Sequence, residues 1–331
     1  MATILLPKSA ISDPKSEAQD NGRATLVVLW ILLVVSGIFL GLRVYAKVWR
    51  GRYLWYDDHV LMASWALMLG NVCVVTKMVS IGYGKHIMFV DPTHIPDMVL
   101  LGQISLTFTV TALSWSKTSF AITLLRVTQL WTKKVVWGII ISMNLLFFWT
   151  ALVHWIYCSP LAAAWNPSIK GKCWSYALVV NFDILANAYS AAMDFALSLL
   201  AWYAIKDLVM KTREKAAVIV SMSLGIFAGG VAIVKCTYLP TMLDMDVTYT
   251  GSFLAIWGEA ELAATVIASS VPVLRALVAE KLSTDRSQTA GMSKNHRTST
   301  HPTLHHEDLG ASDVALQHMK PSGRSTPETL S

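Results

Sequence analysis

Six ionisable side chains interrupt otherwise apolar stretches of this chain: Lys117, Asp183, Asp194, Lys235, Glu259 and Glu261. In an apolar surrounding each is costly unless it is paired, protonated or wet. Residues of this kind are where a polar pocket for a ligand or a proton would be built, and all six are candidates to line one. Asp194 and Glu261 are the candidate acid–base pair, because burial changes how readily a carboxyl holds a proton. Lys117 and Asp194 fall at similar depth, as do Lys235 and Glu261. Paired charges that fix helix packing are the plainer reading of the same residues, and Lys235 is also placed to reach the interface.

The elements that must position these groups are membrane helices. Of 331 residues, 54% are hydrophobic and 15% charged, where soluble domains carry about 25% charged residues. The apolar residues come in runs of about twenty, which at 1.5 Å per residue cross a hydrocarbon core roughly 30 Å thick. The runs predict seven spans, over 24–45, 60–81, 98–127, 135–157, 177–205, 216–238 and 253–274. Lipid offers the backbone no hydrogen bonds, so each span must be helical. The predicted fold is an all-α, seven-helix transmembrane bundle, a multi-pass protein of the plasma membrane or an endomembrane.

The net charge of +6 does not indicate nucleic acid, because the basic residues sit in loops beside the spans. The loops after the first, third and fifth spans hold eleven Lys and Arg, from Arg43 to Lys215; the alternate loops hold three, Lys85, Lys170 and Lys172. Basic loops stay in the cytosol, so the N-terminus is expected outside and the C-terminus inside. Residues 1–23 read as a short extracellular segment with no signal-peptide core. Residues 24–277 read as the membrane domain. Residues 278–331, rich in Ser, Thr, His and Pro, read as a disordered cytosolic tail. The tail histidines, His296, His301, His305, His306 and His318, are irregularly spaced and solvated, and no metal site is expected.

Cys158 and Cys173 flank the outer loop after the fourth span, on the oxidising side, where a disulfide is expected. Cys73 and Cys236 lie within spans and read as small apolar residues. Asp57 and Asp58 precede the second span, where acids suit a helix N-terminus, and Arg43, Lys47 and Arg52 are near enough to pair with them. Retinal is not expected, because the seventh span contains no lysine to form its Schiff base. Phosphate loops, zinc motifs and nucleophile elbows are missing from the sequence.

Several short pieces recur in order: Arg43-Val-Tyr with Asp57-Asp58, Gly82-Tyr-Gly-Lys-His86, and Lys117-Thr-Ser leading to Leu125-Arg126. Cys158-Ser-Pro160, Trp165, Cys173, Asp194, Trp257, Glu261 and Pro272-Val-Leu-Arg275 follow. In these pieces the chain, over about 24–277, resembles the fungal rhodopsin-like seven-helix family that includes the satratoxin-cluster integral membrane proteins. Receptor-like members carry a cysteine-rich CFEM module before the helices; the first 24 residues here hold no cysteine. Lys235 stands where the family pattern has arginine.

The resemblance implies a receptor-like protein, or one accessory to a fungal secondary-metabolite biosynthetic pathway. The alternative is a membrane-embedded cyclase- or isomerase-type enzyme acting on an apolar intermediate, with Asp194 and Glu261 as acid and base. Expected partners are the lipid bilayer, an apolar small molecule, and cytosolic signalling or pathway proteins.

Overall fold

The computed structural model describes residues 21–297 apart from 50, 52, 126–129, 167–168, 207–211 and 244–246. Seven helices of membrane-crossing length and composition run through them. They are α1 Gly22–Trp49, α2 Tyr56–Ser80, α3 Ile95–Leu125, α4 Leu130–Ile156, α5 Tyr176–Lys206, α6 Thr212–Tyr238 and α7 Val247–Arg297. The protein is a multi-pass membrane protein. Consecutive helices from α1 to α6 pack side by side, and α7 is the most enclosed of the seven. Of the described residues, those up to Leu282 belong to one unit and those from Ser283 to Arg297 to a second. α7 continues to Arg297, beyond residue 277 and into the segment read as a disordered tail; residues 298–331 lie outside the described residues, as do 1–20.

The outward faces are apolar. Ile31, Val34 and Ile38 of α1, Ile141, Leu145 and Phe148 of α4, and Ile226 and Phe227 of α6 are all exposed. That is the surface lipid tails accept, so an inward face is marked here by small and polar residues rather than by apolarity. Ser36, Ser64, Ser116, Ser119, Ser269 and Ser270 are buried accordingly. Their hydroxyls turn to backbone carbonyls within hydrogen-bond reach, as Ser64 Oγ does to the carbonyl of Ala112 at 2.8 Å.

Pro272 lies inside α7. Proline has no N–H and its ring crowds the preceding turn, so the carbonyl four residues back loses its helical donor. That carbonyl, Ala268 O, instead accepts Ser221 Oγ of α6 at 2.9 Å. The next carbonyl, Ser269 O, accepts a hydrogen bond from Arg43 Nη1 of α1. Two neighbouring helices thus satisfy backbone groups that lipid could not.

The Gly82–His86 segment joins both ends of the bundle's sequence. Gly82 and Gly84 adopt φ of 112° and 96°, conformations that favour glycine. A Cβ on Gly84 would stand 2.6 Å from the backbone nitrogen of Gly22, at the start of α1. Thr248 Oγ1 at the start of α7 donates to the carbonyl of Lys85 at 2.7 Å. His86 stacks on Tyr249, ring centroids 4.4 Å apart. Tyr83 lies against Gly251, and burial pushes its phenol well above the usual range.

After α4, Cys158 and Cys173 are disulfide-bonded and face each other in a two-stranded antiparallel ladder. Trp174 N donates to Tyr157 O at 2.8 Å, which closes the loop against the end of α4.

Candidate functional site

Four of the six candidate residues meet at one place. Lys117 of α3 sends its ammonium to Asp194 Oδ2 of α5 at 2.6 Å, to Glu261 Oε1 of α7 at 2.6 Å and to Ser190 Oγ of α5 at 2.5 Å. An ammonium has three protons to give, and this one places all three. Ser190 and Asp194 can both reach it because a four-residue spacing stacks them on one helix face. Ser190 Oγ also donates to Glu261 Oε1 at 3.2 Å. Lys235 of α6 turns inward, not to the interface, and its Nζ lies 2.5 Å from Glu261 Oε2.

The cluster therefore holds two cations and two carboxylates and is formally neutral. It ties α3, α5, α6 and α7 together in the bundle interior, with all four side chains buried. Both oxygens of Glu261 and one of Asp194 are held by ammonium groups. Removing one partner would leave an uncompensated charge, which costs about 3–5 kcal/mol in buried pairs.

Glu259 and Asp183 lie elsewhere. Glu259 is two residues before Glu261, about 200° around the helix, and so faces α2 and α3. Asn71 Nδ2 of α2 donates to Glu259 Oε1 at 2.5 Å, and Ser105 Oγ of α3 donates to Asn71 Oδ1 at 2.6 Å. Asp183 lies eleven residues before Asp194 on α5, roughly 16 Å along the axis. It meets His154 Nε2 of α4 at 2.8 Å, toward the disulfide loop. His154 was open to discovery, being an ionisable residue inside the predicted fourth span. Asn71, Ser105 and Ser190 carry no charge and give no such signal.

A second ion cluster sits at the opposite end from the disulfide. Arg43 Nε contacts Asp58 Oδ1 at 2.9 Å, and its Nη2 contacts Asp57 Oδ2 at 2.6 Å. Lys47 Nζ lies 2.5 Å from Asp58 Oδ2. Ser119 Oγ of α3 donates to the carbonyl of Asp57 at 2.8 Å. The two aspartates lie inside α2, whose start at Tyr56 precedes the predicted boundary at 60. Because Arg43 and Lys47 neutralise them, they can be buried within the helix.

The model of the fungal rhodopsin domain matches residues 42–280. A curated relative, the wortmanamides biosynthesis cluster protein C of Talaromyces wortmannii, is 24% identical over 132 residues, which cover 40% of this chain and 35% of that protein. The chain thus spans about a third of the length of this relative. No solved structure matches. The match takes in every residue of the Lys117 cluster and all of α2 to α6, and it covers most of the chain: the protein belongs to the fungal rhodopsin domain family.

Proposed function

We propose that the protein is a receptor-like or accessory component of a fungal secondary-metabolite pathway, and that the Lys117–Asp194–Glu261–Lys235 cluster is its working part. The cluster's geometry carries this reading: a buried, charge-balanced group joins four helices through contacts of 2.5–2.6 Å. A ligand or proton that takes up one of its carboxylates frees a cation and reweights the packing of those helices. A receptor needs such an element, with two arrangements biased by what binds. The biosynthesis-cluster name of the relative supports the pathway context. With both Glu261 oxygens engaged by lysines, the cluster suits a switch better than a free general base. In this reading the N-terminus faces outside, the C-terminus faces the cytosol, and no retinal is bound.

The test replaces Glu261 and Asp194 singly with Gln and Asn in the producing host. Membrane abundance and metabolite output are measured together. The proposal expects at least one variant to lose output per molecule of membrane-inserted protein, beyond whatever abundance the stranded charge costs. Normal abundance with normal output in both variants would sink it. Turnover of a pathway intermediate by membranes holding this protein alone would replace it with the enzyme reading, with Asp194 and Glu261 as acid and base.

A further inference from the structure

Every other buried acid or base among the described residues lies within hydrogen-bond reach of a group of the opposite kind; Glu259 does not. Arg43 and Lys47 balance Asp57 and Asp58, and Lys117 and Lys235 balance Asp194 and Glu261. When ionised, Glu259 leaves one negative charge over, on a side chain with no exposed surface. Its Oε1 accepts the amide of Asn71, while its Oε2 is buried with no hydrogen-bond partner. A carboxylate so placed inside a membrane bundle calls for one positive charge.

The surrounding atoms suit a small inorganic cation. Glu259 offers two oxygens, Asn71 Oδ1 a third and Ser105 Oγ a fourth, on three different helices. These are hard donors, of the type that alkali and alkaline-earth ions take. With a single carboxylate, the charge fits a monovalent ion better than a divalent one. The Asn71 amide needs only to turn about its last bond to aim its oxygen at the ion. Its nitrogen then meets Ser105 Oγ, a hydroxyl that accepts as readily as it donates.

We propose that Glu259, Asn71 and Ser105 form a binding site for one monovalent cation of the sodium type, between α2, α3 and α7. It is distinct from the Lys117 cluster, which Glu261 meets on the other side of α7. An ion here would tie α7 to α2 and α3 while the lysines tie it to α5 and α6.

The test measures thermal unfolding of the purified full chain in sodium chloride and in choline chloride at equal ionic strength. The wild type should unfold at a midpoint that climbs, saturably, as sodium replaces choline. Glu259→Gln should abolish the response, while Glu261→Gln should keep it. Asn71→Ala should raise the half-saturating sodium concentration on the order of tenfold. If Glu259→Gln does not fold, Asn71→Ala and Ser105→Ala decide the matter through that concentration. A wild-type midpoint indifferent to sodium would overturn the site, including one that moves only with pH. An undiminished response in Glu259→Gln, or in both Asn71→Ala and Ser105→Ala, would overturn it too.

Discussion

Charge balance in the Lys117 cluster makes a quantitative prediction through two substitutions at Glu261 and Lys235. Glu261→Gln keeps the shape of the side chain and removes its charge. Lys235 then has no carboxylate within ion-pair reach among the described residues, and Lys117 keeps only Asp194 at 2.6 Å. The cluster passes from neutral to one excess positive charge in a buried setting. The expected loss is about 3–5 kcal/mol. For a chain of this size that is a fall of roughly 4–7 °C in the unfolding midpoint. Adding Lys235→Met removes the stranded cation and leaves the neutral Lys117–Asp194 pair. The double variant should therefore be more stable than Glu261→Gln alone, with a coupling of about 2 kcal/mol. The assay is thermal unfolding of detergent-purified protein for the wild type, both single variants and the double. Losses that simply add, or a double variant less stable than either single one, would refute the idea that neutrality governs this cluster.

Three other outcomes follow from features at the ends of the bundle. A tag placed after Ser331 should resist protease added to intact cells while a tag before Met1 is cut; cleavage of the C-terminal tag from outside would reverse the orientation. Non-reducing peptide mapping should recover Cys158 and Cys173 in one linked species, and alkylation of both without prior reduction would contradict the bond. Gly251→Ala would place a methyl group 2.7 Å from the Tyr83 hydroxyl and should lower the unfolding midpoint. Tyr83→Phe should restore part of that loss, and no restoration would mean that the strain lies elsewhere.

The helices were legible because lipid imposes one rule on every span, a long unbroken apolar run. Their ends were less so. Asp57 and Asp58 look like residues that should precede a membrane helix, yet α2 contains them, because Arg43 and Lys47 supply the opposite charge from another helix. Depth along the axis was enough to suggest Lys117 with Asp194 and Lys235 with Glu261. It carries no information about direction around the helix. For that reason the sharing of Glu261 by both lysines did not emerge, nor did the turning of Glu259 toward Asn71. The Gly82–His86 pattern was visible as a motif without a role. Its role depends on the starts of α1 and α7, distant in sequence, coming to rest against it.

The arrangement around Pro272 bears on how sequences of this family can drift. Ser221 and Arg43 each direct a donor to a carbonyl in the turn before that proline. Replace the proline with an ordinary residue and the helix reclaims at least the carbonyl of Ala268, so the serine loses its acceptor. Replace the serine while the proline stays, and a carbonyl is stranded inside the bundle. Neither change is comfortable as a first step, so the two positions should be inherited together and lost together. Arg43 is held more firmly, because Asp57 and Asp58 constrain it as well. An alignment of relatives should therefore show proline and serine substituted in the same lineages, with the arginine unchanged through both.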